Sequence, residues 1–70
     1  MDERRLGNRL KEVRSARSLT QTDLAALAGV SRKTINTVEN SVFVPSTLLA
    51  LTLAKVLDTT VERLFFVVED

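Results

Sequence analysis

The sequence predicts an all-α fold of five short helices, followed by a short strand at the C-terminus. Three observations lead there. Apolar residues recur at helical spacing through most of the chain, as at Leu6, Leu10 and Val13. Hydroxyl residues stand where a helix N-cap belongs, at Thr20, Ser31, Ser46 and Thr60. Only two Gly and one Pro punctuate the chain, so its connections must be short.

Helix 1 is expected from about Asp2 to Arg17, with Leu6, Leu10 and Val13 as its inner stripe. Gly7 inside it weakens the first turns by about 1 kcal/mol relative to Ala. Helix 2 starts at Thr20, where Thr20 and Asp23 have the spacing of a capping box: the hydroxyl accepts from the Asp23 N–H and the carboxylate from the Thr20 N–H. Its buried side is predicted to be Leu24, Leu27 and Ala28. Gly29 ends that helix in the left-handed conformation, which Gly adopts without steric cost. Ser31 caps helix 3 only two residues later. Helix 4 follows Pro45, capped by Ser46, and runs to Leu57; apolar on nearly every side, it is predicted to be the central buried helix. Leu24, Val30, Ile35, Val38, Leu51, Leu53 and Leu57 are the expected core. Asp58 and Thr59 turn the chain and Thr60 caps a short helix 5 to about Phe65. The tail 66–70 reads as a strand in need of a partner.

Composition narrows the function. Seventy residues make one small domain, residues 1–70, with a helical core over about 5–65 and an extension over 66–70. With no Cys and no His, disulfides, metal thiolates and the commonest general base are absent. No nucleophile–base pair, phosphate-cradling glycine loop or metal cluster is legible, so no catalytic residue, metal or cofactor is expected and an enzyme is disfavoured. The longest uncharged run, Asn40 to Ala54, is 15 residues long and broken by Pro45, too short to span a bilayer. No signal peptide opens the chain, and the expected location is the cytoplasm. Residues 1–40 carry a surplus of three positive charges and residues 41–70 a surplus of two negative ones, within a net charge of +1. The basic half is expected to face an anionic partner.

That half contains an unusual helix start. The first turn of a helix favours Asp or Glu, because its unpaired N–H groups carry partial positive charge; helix 3 instead opens with Arg32 and Lys33. On a helical wheel Ile35 and Val38 define the inner side. Lys33, Asn36, Thr37 and Asn40 point away from it, flanked by Arg32 and Thr34. A short, polar, basic surface with amide groups has the chemistry to read base-pair edges: Arg or Lys reaches guanine acceptors, Asn pairs with adenine, and a Thr methyl meets the thymine methyl. A phosphate-lined groove offsets the charge–dipole conflict. Double-stranded DNA is therefore the expected partner, with no membrane and no small-molecule ligand. Glu39 lies about 40° from Ile35, on the inner side, where a carboxylate needs a cation. Periodicity leaves both Arg14 and Arg17 as candidates for it.

The stretch QTDLAALAGVSRKTINTVEN, residues 21–40, resembles the helix-turn-helix unit of lambda-repressor-like, Xre/Cro-type regulators. The resemblance rests on Gln21, Leu24, the small Ala25, Ala28-Gly29-Val30-Ser31, Ile35, Val38 and Glu39-Asn40. It extends through VPSTLLALTLAKVL and TTVERLF, roughly Leu10 to Phe65. The resemblance implies base reading by Arg32, Lys33, Asn36 and Thr37, and phosphate contacts at Gln21, Thr22, Thr34 and Asn40. It also implies an ion pair between Arg14 and Glu39. Two departures stand out. Ser41 occupies a position where the family usually has Gly, which strains a left-handed residue by roughly 1 kcal/mol. The loop after it, usually polar, reads Val42-Phe43-Val44, so weaker DNA affinity is expected unless Arg5, Arg9 or Lys11 compensates.

One such domain reads few bases, so a homodimer on a palindromic operator is expected, acting as a transcriptional repressor. Phe65, Phe66, Val67 and Val68 are the expected dimerisation strand, pairing with the same segment of a second copy. Leu49 or Val56 on helix 4 is the alternative contact. The competing function is a protein-interaction module of the same fold, antitoxin-like or a regulatory partner, docking through loop 42–44.

Overall fold

The computed structural model describes residues 4–69 and frames five helices with a strand at either end. In chain order these are β1 (Arg5–Asn8), α1 (Leu10–Ala16), α2 (Gln21–Ala28), α3 (Arg32–Glu39), α4 (Thr47–Val56), α5 (Val61–Leu64) and β2 (Phe65–Val68). The helical fold follows the sequence expectation; its first segment does not. Where a helix was expected from Asp2, residues 5–8 form a strand and the helix begins only at Leu10. Residues 1–3 lie outside the described residues.

The cause is a pairing that local periodicity does not reveal. β1 and β2 form an antiparallel ribbon in which Leu6 faces Val67 and Gly7 faces Phe66. A Cβ on Gly7 would collide with the Phe66 ring, so Gly at this position is what admits the aromatic side chain. The Arg9 guanidinium lies 4.5 Å from the centroid of the same ring. The chain then bends into α1 through Asn8. Its Oδ1 accepts from the Leu10 N–H at 3.1 Å, while its Nδ2 donates to the Val38 carbonyl at 3.0 Å. The tail predicted to want a partner thus finds one inside its own chain.

The helix boundaries follow their caps. Asp23 N–H donates to Thr20 Oγ1 at 3.0 Å and Thr20 N–H to Asp23 Oδ2 at 2.9 Å, completing the capping box. Ser31, Ser46 and Thr60 accept from the N–H groups of Thr34, Leu49 and Arg63. Each such cap stabilises its helix by about 1 kcal/mol. Gly29 sits at φ 73° and closes α2. Ser41 adopts φ 58°, as its place after α3 led one to expect.

Leu10, Leu24, Ile35, Leu53, Leu57 and Leu64 are wholly buried, joined by Val38, and this core lies where all five helices meet. Val30, expected in the core, packs half-buried against it, and two other residues expected to be buried are outside it. Leu27 is 58% exposed and Leu51 is 56% exposed. α4 is apolar all round, so periodicity could not tell its faces apart; it buries Leu53 and Ala54 and turns Leu48 and Leu51 outward. Leu49 and Val56, the expected surface contacts on this helix, pack half-buried against the core instead.

Candidate nucleic-acid interface

α3 is held from below by Ile35 and Val38 and from its C-terminal end by Glu39. The Glu39 carboxylate gathers three elements. Arg14 of α1 donates to it through Nε at 2.6 Å and Nη2 at 3.2 Å, and Gln21 of α2 donates through Nε2 at 3.0 Å. Arg14 Nη1 also donates to the Leu19 carbonyl at 2.8 Å, across the α1–α2 turn. The side chains of Arg14 and Glu39 are 10% and 3% exposed, so solvent screens this pair little. Donating to the Glu39 carboxylate raises the Arg14 pKa above its ordinary value, against the opposing effect of burial. Of the two candidates, Arg14 takes the carboxylate; Arg17 reaches the Asp58 carbonyl at 3.4 Å instead.

With its inner side fixed, α3 presents the remaining residues outward. Arg32 and Lys33 are exposed and, among the described residues, in no ion pair. Asn36 is half-buried, and its amide makes no hydrogen bond within the described residues, leaving both donor and acceptor available. Thr37, also half-buried, donates its hydroxyl to the Thr34 carbonyl at 2.9 Å; its oxygen can still accept. Thus the predicted base-reading set occupies one short helix, with three of its members uncommitted.

The predicted phosphate contacts are less uniform. Thr22 is exposed on the first turn of α2. Thr34 shares a hydrogen bond with the Ser31 hydroxyl at 2.9 Å, and Asn40 donates to the Asn36 carbonyl at 2.9 Å. Gln21 turns inward to Glu39, so it supports the frame with one amide hydrogen and keeps the other. The loop after α3 is held by Val42 and Phe43 N–H groups donating to the Thr37 carbonyl, and Val42, Phe43 and Val44 are all exposed.

Asn8 is the contributor that the sequence reading missed. By binding the Val38 carbonyl it ties the β1–α1 bend to the end of α3. Its signal was present: a capping-type residue directly after Gly7 and just before an apolar stripe marks a helix start.

Two helices joined by a left-handed Gly turn, the second helix outward and basic, make up a helix-turn-helix. The comparisons with known proteins agree. A helix-turn-helix family model (HTH_3) matches residues 10–64. The chain belongs to this family, the Xre and lambda-repressor-like branch of helix-turn-helix proteins. An uncharacterized HTH-type transcriptional regulator of Methanocaldococcus jannaschii is 41% identical over 63 residues, covering 90% of this chain and 96% of that protein. The restriction-modification controller protein C.AhdI from Aeromonas hydrophila superimposes with a TM-score of 0.75 at 36% identity, over 79% of this chain and 83% of that one. A chain of the SinR protein/SinI protein complex gives 0.73 at 27% identity, over 77% of this chain and 53% of that one.

Proposed function

We propose that this chain is a sequence-specific double-stranded DNA-binding transcriptional regulator, a repressor that occupies a palindromic operator as a homodimer. The observation that carries the reading is the state of α3. Its inner polar group, Glu39, is saturated by Arg14 and Gln21, while Arg32, Lys33 and the Asn36 amide are left uncommitted on the outer side. A rigid helix with free guanidinium, ammonium and amide groups suits direct reading in the major groove. Similarity to an HTH-type transcriptional regulator and to a controller protein supports a regulatory role.

In this reading Arg32, Lys33, Asn36 and Thr37 face the bases. Thr22, Thr34, Asn40 and the second amide hydrogen of Gln21 face phosphates. α3 has eight residues, so it spans about 12 Å and reaches only a few base pairs. A second copy, with its α3 one DNA turn away at about 34 Å, supplies the rest of the specificity.

Exposed Val42, Phe43 and Val44 favour a second reading, a module that docks another protein through this loop. Salt separates the two. DNA binding through Z phosphates weakens with log salt at a slope near −0.9Z, whereas an apolar interface responds little. Under the first reading, Lys33→Ala and Asn36→Ala each relax base preference at a defined position by about 1–3 kcal/mol and leave the fold intact. Binding measured on the selected site and on its point variants checks this. Unchanged preference in both variants means that α3 is not the reading element.

A further inference from the structure

α3 is charged unevenly along its length. Its first turn carries Arg32 and Lys33, but from there to Lys55 the sequence holds no cation, and its one charge is the Glu39 carboxylate already bound by Arg14. The last turn of a helix also carries partial negative charge. A helix lying in the major groove has phosphates along both sides, so the end of α3 and the loop after it would meet them without a counter-charge.

The fold brings cations to that end from the start of the chain. A concavity lies between the N-terminal strand and the loop after α3, with Arg4, Arg5 and Gly7 on one side and Ser41 and Val44 on the other. Arg4 and Arg5 are both exposed, and no Asp or Glu among the described residues lines this concavity. Asn8 ties its two walls together: its Nδ2 donates to the Val38 carbonyl at 3.0 Å and to Ser41 Oγ at 3.4 Å. β1 is held in turn by β2, with Arg5 opposite Val68. Arg5 thus stands on a frame joined to the end of α3, with Arg4 one residue before it. Neither Arg9 nor Lys11 lines the concavity, and Arg9 rests its guanidinium on the Phe66 ring of the hairpin.

We infer that Arg4 and Arg5 form a second phosphate-binding site, holding the DNA backbone beside the C-terminal end of α3 in place of the cations that the following loop lacks. The inference rests on the DNA-binding reading above and extends it to a segment outside α2 and α3. A guanidinium has five N–H donors in a fork that suits phosphate oxygens. A bond within the chain, to Glu69 just past the Arg5–Val68 pair or to another neighbour, therefore still leaves donors for DNA. Phosphate contacts fix register and orientation without carrying sequence information, so this site sets affinity and leaves base preference to α3.

The dependence of affinity on salt tests this, measured by anisotropy of a labelled duplex selected from a random pool and titrated with the full chain. Arg4→Gln and Arg5→Gln change exposed side chains only, and circular dichroism verifies that each variant is folded. Each is expected to reduce the slope of log K against log salt by about 0.9 and to weaken binding about fivefold at ~0.15 M salt, the double variant by about twice that slope. The loss is expected to be equal on the selected site and on its point variants. Replacing both arginines by Lys keeps the charge and is expected to keep the slope. Lys55→Gln, on α4 outside this concavity, is expected to keep it as well. Interference by ethylated phosphates locates the contact: the double Gln variant is expected to lose it on one flank of each half-site and retain the rest. The inference is overturned by a double Gln variant with the parent slope, by altered base preference, or by a Lys55→Gln slope as shallow as that of the double variant. A double Lys variant as shallow as the double Gln one overturns it too. A parent that binds no duplex from the pool, or binds with a slope near zero, overturns the DNA reading itself. A steep parent slope that the double Gln variant matches overturns this site alone.

Discussion

Removing the Glu39 carboxylate strikes the joint that fixes α3, and the size of the effect follows from its contacts. Glu39→Ala leaves the Arg14 guanidinium, in a residue 8% exposed, with one remaining acceptor, the Leu19 carbonyl. Two charge-assisted hydrogen bonds from Arg14 and one from Gln21 disappear together. Truncating one side of a buried, hydrogen-bonded ion pair costs about 3–5 kcal/mol, most of it from the charge left behind. A 70-residue domain has only about 4–10 kcal/mol in total, so this variant loses from about a third to all of its stability. Each kcal/mol lowers the midpoint of a domain this size by about 4–8 °C, which makes the loss easy to detect by heating. The chain has no Trp or Tyr, so urea unfolding is best followed by helical circular dichroism. The cause can be isolated: Arg14→Met combined with Glu39→Leu removes both charges and recovers most of the loss, because no uncompensated ion stays buried. A loss below about 1 kcal/mol for Glu39→Ala, the range of an exposed pair, refutes the reasoning. So does a double variant no better than the single one.

Ser41→Gly relieves a left-handed residue at φ 58° but gives the unfolded chain more freedom and removes the 3.4 Å contact from Asn8 Nδ2. A net gain of about 0.5 kcal/mol is expected, raising the thermal midpoint by about 2–4 °C; calorimetry checks it. Asp23 concerns acid stability. The Thr20 backbone N–H, and then its side chain, hold the Asp23 carboxyl below its ordinary pKa. Its contribution is therefore complete above pH ~4, the unfolded range, and is lost as pH falls through the lowered folded value. Asp23→Asn is expected to be less stable than the parent near neutrality, with the gap closing in acid; a gap that widens on acidification contradicts this.

The parts legible in the sequence are those decided by neighbours along the chain. Thr20, Ser31, Ser46 and Thr60 cap helices because their hydroxyls bind N–H groups three residues on. Gly29 turns because of its own φ. The outward set on α3 was legible for a similar reason: an amphipathic helix with Ile35 and Val38 inward leaves one side for Lys33 and Asn36. What escaped was non-local. Residues 5–8 fit a helical stripe through Leu6 and Leu10, and only the fit of Phe66 over Gly7, from the opposite end of the chain, makes them a strand. Leu27 and Leu51 were misplaced because α2 and α4 carry more apolar residues than the core takes up. Gln21 turns toward Glu39 because Glu39 and Arg14 leave an acceptor there, a relation among three helices. The Arg14–Glu39 pairing came from family resemblance, since periodicity alone left Arg17 equally placed.

The most direct test of the central claim is amide shift mapping of the isotope-labelled protein during titration with a duplex selected from a random pool. The account predicts the largest changes over Arg32 to Thr37 and at the first turn of α2, with selected sites carrying two half-sites about one turn apart. Changes concentrated on α4, α5 or the hairpin, with α3 silent, would contradict it.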